Sequence, residues 1–114
     1  MPKYLLLITT DTTVPASEED HQGAPDVEAW AQRLIDAGRY VTGDPLVPAA
    51  QAQTVRVRGG KIHRTDGPFT EAGEVIAGLD VIEADSLADA IEVAAGHPMA
   101  WTHAVEVREF TQLP

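Results

Sequence analysis

The segment KIHRTDGPFTEAGEVIAGLDVIE, Lys61 to Glu83, constrains the fold more than any other part of the chain. A short strand, Lys61 to Arg64, is cut off at Asp66-Gly67-Pro68-Phe69 and followed by a longer apolar strand, Val75 to Ala84. Asp can bond its own backbone, Gly admits positive φ, and Pro fixes φ while removing a donor, so Asp-Gly-Pro is turn chemistry. Phe69, one of two phenylalanines, is placed to pin that turn onto the core. Just upstream, Thr54 to Arg58 alternates Val55 and Val57 with Arg56 and Arg58, the period of a half-exposed strand. Gly59-Gly60 joins it to Lys61 as a two-residue hairpin.

The remaining elements are read from periodicity. Lys3 to Thr10 is a near-continuous apolar run, the pattern of a central strand. Asp11 to Ala24 is polar and reads as a long loop. Pro25 opens a helix with Val27, Trp30, Leu34 and Ile35 on one stripe, stopped by Gly38. Arg39 to Val47 reads as a strand bent at Gly43-Asp44-Pro45. Ser86 with Asp89 approximates a capping box for a second helix, on which Leu87, Ala90, Ile91 and Ala94 share a face; Gly96 and Pro98 stop it. Ala104 to Phe110 is the last strand. The order β-α-β, hairpin, β-α-β is an α+β, ferredoxin-like split βαβ pattern with an inserted β-hairpin. Two helices cover one face of such a sheet, so the other face calls for a partner.

Composition narrows the function. The 114 residues suit one domain, 1–114, with its own core. There is no cysteine, which removes disulfides, thiolate metal sites and a Cys nucleophile. Eighteen acids against eight bases give a net charge of −10, a surface that repels phosphate backbones, so no direct nucleic-acid contact is expected. Met1 runs straight into KYLLLI with no leader pattern, and the apolar run is too short for a bilayer; the expectation is a soluble cytoplasmic protein without membrane contact. Acids crowd residues 11 to 28, and Arg56, Arg58, Lys61 and Arg64 crowd the hairpin. These are either two solvated surfaces or an acidic loop that meets a basic hairpin across a subunit boundary or a ligand.

Serines occur only at Ser17 and Ser86, neither in a nucleophile elbow. Phosphate loops and dinucleotide fingerprints are missing, so no cofactor is expected. His21, His63, His97 and His103 form no metal-ligand spacing, so no metal is expected either. His97, between Gly96 and Pro98, has two readings: a cap bonding the last helix carbonyls, or an acid/base group protonated near the helix C-terminus. Asp66 reads as a turn residue or, with Arg64 and Thr65, as part of a pocket mouth. Trp30 fits its helix's core stripe, whereas Trp101 suits a pocket or dimer wall.

TDGPFTE after the Arg-rich hairpin, the AG-x-x-VIEA strand, the DSLADAIEVAAGHP helix and the closing VEVREF strand resemble the DGPF-domain proteins of the YCII-related family, small bacterial proteins mostly of unassigned reaction. The likeness covers nearly the whole chain. It implies a homodimer in which two sheets pack face to face as a dimeric α/β barrel, with a pocket for a small-molecule ligand in each subunit. Relatives are credited with a catalytic pair formed by a His on the first helix and an Asp at the Asp-Pro after the second. Laid onto this chain the pair is reversed: His97 stands at the Asp position, and the His position falls near Val27, beside Asp26 and Glu28. The implied site is therefore catalytic His97, Asp26 and Glu28, with Asp66, Arg64 and Trp101 contacting a ligand. The implied chemistry is His/carboxylate acid–base catalysis, of lyase or dehydrochlorinase type, on a small aromatic or acidic metabolite. The alternative is a non-catalytic dimeric binding or regulatory protein linked to extracytoplasmic-function sigma factors.

Overall fold

The structure, a computed structural model, describes residues 1–68 and 75–112. The expected role of Phe69 as the pin of the Asp-Gly-Pro turn lies outside the described residues. Among the described residues, six strands and four helices run in the order β1 (Lys3–Thr9), α1 (Glu18–Gly23), α2 (Val27–Asp36), β2 (Tyr40–Pro45), β3 (Gln53–Arg58), β4 (Lys61–Asp66), β5 (Ile76–Glu83), α3 (Leu87–Ala95), α4 (Pro98–Thr102) and β6 (Ala104–Glu109). A 3-10 turn at Ala49–Gln51 precedes β3.

Four strands form one antiparallel sheet in the order β2-β5-β1-β6, and β3 pairs with β4 in a separate ladder. The result is a mixed α+β fold compatible with the ferredoxin-like pattern. Alternation along β1 sends Tyr4, Leu6 and Ile8 towards the helices, where Leu6 is fully buried beside Ile82 of β5. Trp30 and Leu34 of α2 and Ala90 and Ala94 of α3 close this core. Leu5, Leu7, Leu79 and Val81 point to the opposite face and are only half-buried. Burying a side chain of the size of Leu6 stabilises by roughly 1.5–3 kcal/mol, so this single layer supplies much of the driving force.

Caps bound the helices as their sequences dictate. Gly38, at φ 69°, terminates α2 in a Schellman arrangement, with Gly38 N–H on the Ile35 carbonyl and Arg39 N–H on that of Leu34. Ser86 caps α3 by accepting from Asp89 N–H, but the Asp89 carboxylate reaches back past the N-cap to Asp85 N–H, so the reciprocal half of a capping box is displaced by one residue. Several expectations change. On α2, Trp30 and Leu34 are buried but Val27 and Ile35 of the expected stripe are exposed. Asp11 to Ala24 is not all loop: Ser17 and Asp20 form a reciprocal capping box that opens α1. Leu87 and Ile91 do not share the buried face of α3, which is formed by Ala90 and Ala94 with Val93 packed half-buried beside them.

The hairpin expected at Gly59-Gly60 is present, with both glycines at positive φ, as a tight two-residue turn requires. It packs on itself and leaves Val55, Val57 and Ile62 exposed. Among the described residues no helix is long and apolar enough to cross a membrane.

Candidate functional site

Asp80 sits on the inward phase of β5, between Gly78 and Ile82, and is only 8% exposed. A carboxylate there must be satisfied, because an unpaired buried polar group costs about 1–3 kcal/mol. Tyr40 of β2 supplies the first partner, its hydroxyl donating to Asp80 Oδ1 at 2.7 Å. The neighbouring strand leaves room for this bond because Gly43 lies directly opposite Asp80. A Cβ at Gly43 would collide with Asp80 Oδ1, the Tyr40 hydroxyl and the Leu79 carbonyl. Burial and the Asp80 bond push the Tyr40 phenol far above its ordinary range, so it remains a donor.

His97 reaches the same place from the other side of the core. Helix α3 ends at Gly96, the chain turns, and His97 becomes the N-cap of α4 with Pro98 at its first position. Its Nδ1 accepts Met99 N–H at 3.1 Å, its ring stands edge-on to Trp30 with centroids 4.9 Å apart, and only 6% of the residue is exposed. Trp30 is itself anchored by donating Nε1–H to the Val93 carbonyl. Since Nδ1 is an acceptor, the neutral imidazole carries its hydrogen on Nε2. That atom lies 3.9 Å from Asp80 Oδ2, too far for a direct hydrogen bond.

The helix-terminus expectation for His97 is corrected here. The residue caps the start of α4 through Nδ1 rather than bonding the last carbonyls of α3 by its ring. Burial lowers its pKa, with the Asp80 charge opposing in part, so at neutral pH the ring is uncharged.

A cleft of about 500 Å³ opens on this group. Tyr40, Asp80 and His97 line it together with apolar surface from Ile8, Trp30 and Met99. Glu28 and Asp44, both exposed, complete its polar lining. The pair Asp80–His97 thus offers an ionisable carboxylate oxygen and a neutral N–H donor converging on a largely apolar space.

The residues singled out from sequence fall in several places. His97 is at the cleft and Glu28 lines it, but the carboxylate facing His97 is Asp80. Asp26 is the exposed N-cap of α2, accepting Ala29 N–H at 2.9 Å, and is not part of the cleft lining. The geometry therefore does not form the reversed pair with Asp26. Asp66 and Arg64 are on the exposed hairpin, where Asp66 accepts from Gln53 Nε2 at 2.8 Å. Trp101 is in α4, donates to the Ala95 carbonyl and packs over Gly23 of α1, bordering a separate cleft with Pro15 and Asp20. Asp66, Arg64 and Trp101 are thus not gathered into one site. Asp80 and Tyr40 were missed, though a signal existed: Asp80 is the charged residue on the apolar phase of IAGLDVIE. Among the described residues no three His, Asp or Glu side chains are grouped to hold a metal.

The model of the YCII-related domain matches residues 2–113. An uncharacterised protein of Rhizobium meliloti (strain 1021) is 32% identical over 94 residues, covering 80% of this chain and 76% of that protein.

Proposed function

The chain belongs to the YCII-related family, a domain of unassigned activity here, and we propose that it is a small enzyme of proton transfer, with Asp80 as base and His97 as neutral hydrogen-bond donor. The observation that carries this reading is the 3.9 Å gap between Asp80 Oδ2 and His97 Nε2 at the cleft. A substrate can span that gap with its reacting C–H at Asp80 Oδ2 and its carbonyl oxygen within about 2.8 Å of His97 Nε2. Asp80 Oδ2 takes a proton from carbon next to a carbonyl, and the His97 Nε2–H bonds the oxygen on which charge develops. The electron pair left on carbon delocalises onto that oxygen or, where a β leaving group is present, forms a double bond as it departs. The second course is chemistry of lyase or dehydrochlorinase type. Tyr40 holds Asp80 in position, and Glu28 bounds the cleft.

The test needs no known substrate. A panel of small carbonyl compounds in D2O is followed by NMR for exchange of the carbon-bound proton. Exchange by the wild type that falls about 10²-fold or more in Asp80→Asn is the expected result. Exchange on no compound, or exchange unchanged in Asp80→Asn, overturns the assignment and favours a non-catalytic binding or regulatory protein, including one acting on a sigma factor.

We propose further that the sheet pairs with a second copy to complete a dimeric α/β barrel, β3–β4 being an insertion in a ferredoxin-like core. The half-buried Leu5, Leu7, Leu79 and Val81 support this, since they form an apolar face that the helices leave open. Light scattering should report twice the 12.2 kDa chain mass, and Leu7→Lys should return it to the single value.

A further inference from the structure

The charges around the cleft all have one sign. Glu28, Asp44 and Asp80 line it, and among the described residues no lysine or arginine does. The cation nearest in sequence to Tyr40, Arg39, is committed elsewhere: its guanidinium bonds Asp89 at 2.6 Å and the Glu83 carbonyl at 3.1 Å. His97 supplies no compensating charge at neutral pH, because burial holds it neutral. Its Nε2, on a side chain that is almost wholly buried and lines the cleft, makes no hydrogen bond among the described residues. That N–H opens on the cleft and can give its hydrogen to water or to an acceptor atom of a ligand, next to a wall whose potential is negative. The aromatic rings of Trp30 and Tyr40 add electron-rich surface, which favours a cation over an anion.

We infer that this cleft selects molecules carrying an amine on a compact apolar body over molecules carrying a carboxylate. The inference rests on the acid–base reading for the use of the site, and it departs from the acidic metabolite that the family resemblance allows. A carboxylate entering here would meet three like charges in a partly dehydrated space, where Coulomb terms are weakly screened. An ammonium group finds Glu28 and Asp44 at the exposed side of the cleft, leaving Asp80 and His97 free for the apolar body and its reacting atom. A volume of about 500 Å³ lies within the usual span for small-molecule sites.

Three probes of nearly equal size separate charge from shape: phenethylamine, 2-phenylethanol and 3-phenylpropionate. Each is titrated into isotopically labelled protein at pH 7, following the His97 imidazole and Trp30 indole resonances. The expected order is amine, then alcohol, then acid, with the amine at least about tenfold tighter than the acid, a factor equal to 1.4 kcal/mol. Added salt should narrow the gap. The double variant Glu28→Gln, Asp44→Asn should cut the amine preference at least about threefold while the alcohol is unaffected. Acid binding as tight as amine binding, or no movement of either resonance by the amine at millimolar concentration, overturns the inference. An amine preference in a protein that exchanges no carbon-bound proton would refute the acid–base reading alone. Proton exchange together with an acid preference would refute this one alone.

Discussion

The cleft and the β3–β4 hairpin each combine polar and apolar residues but put them to opposite uses. At the cleft, Tyr40, Asp80 and His97 are polar groups drawn inside, each with a defined partner: the phenol on the carboxylate, the imidazole on Met99 N–H. On the hairpin, valines and an isoleucine are left outside, with Ile62 73% exposed, while Arg56, Arg58, Lys61 and Arg64 surround them. Polar atoms are costly to bury and therefore demand specific geometry. Exposed apolar side chains demand none, so the hairpin carries little local stability of its own. The lesson is that a defined side-chain geometry here follows satisfied burial rather than hydrophobic content.

Substitutions can sharpen this contrast, starting with the largest effect. Leu6→Ala should destabilise by about 2–5 kcal/mol in urea unfolding, while Ile62→Ala should stay within about 0.5 kcal/mol. An equal loss at both positions would mean that the hairpin is packed against something, a second copy above all. Next is Gly43→Ala. Its methyl would force apart Tyr40 and Asp80, at a cost of about 1–3 kcal/mol for overpacking. Tyr40→Phe, which removes only the donor, should cost less than Gly43→Ala but more than any surface change; denaturation midpoints rank the three.

The pH dependence is a smaller effect. In the unfolded chain His97 gains a proton near the ordinary value of 6.5, whereas the folded chain resists that proton until the pH is lower. The contribution of neutral His97 is therefore complete above that value and is lost as pH falls from it towards the folded pKa. His97→Gln should flatten this limb of the stability–pH curve. A limb unchanged by the substitution would show that burial of His97 is not its origin. The smallest prediction is spectroscopic. Long-range ¹H–¹⁵N correlations at neutral pH should find the hydrogen on Nε2, and an Nδ1–H tautomer would remove the donor role assigned to this atom.

Much of the local structure was legible. Gly38 ended the first long helix where a left-handed residue was needed, and Gly59-Gly60 turned the hairpin. Ser86 capped α3, and the alternation in KYLLLI and IAGLDVIE marked strands with one face inward. The short helices were harder. Ser17 and Asp20 form a capping box before only one and a half turns or so, with no apolar stripe to reveal them. Pro98 was read as a stop, although the same fixed φ also suits the first residue of a new helix, which is its role in α4.

The site was legible in part. His97 stood out because it is flanked by Gly96 and Pro98, and its neighbourhood was then assigned to Asp26 and Glu28 by reference to a family pattern. The carboxylate facing it proved to be Asp80, one helix upstream on strand β5.

What the sequence determines by itself is therefore the set of elements and their boundaries, because caps, glycine turns and side-chain alternation act over a few residues. Which polar groups meet inside is decided only by tertiary structure. The strand order β2-β5-β1-β6 brings Tyr40 beside Asp80, and the exit from α3 turns His97 in above them. That choice depends on distances between elements and on the cost of leaving a buried carboxylate unpaired, and no local pattern carries either.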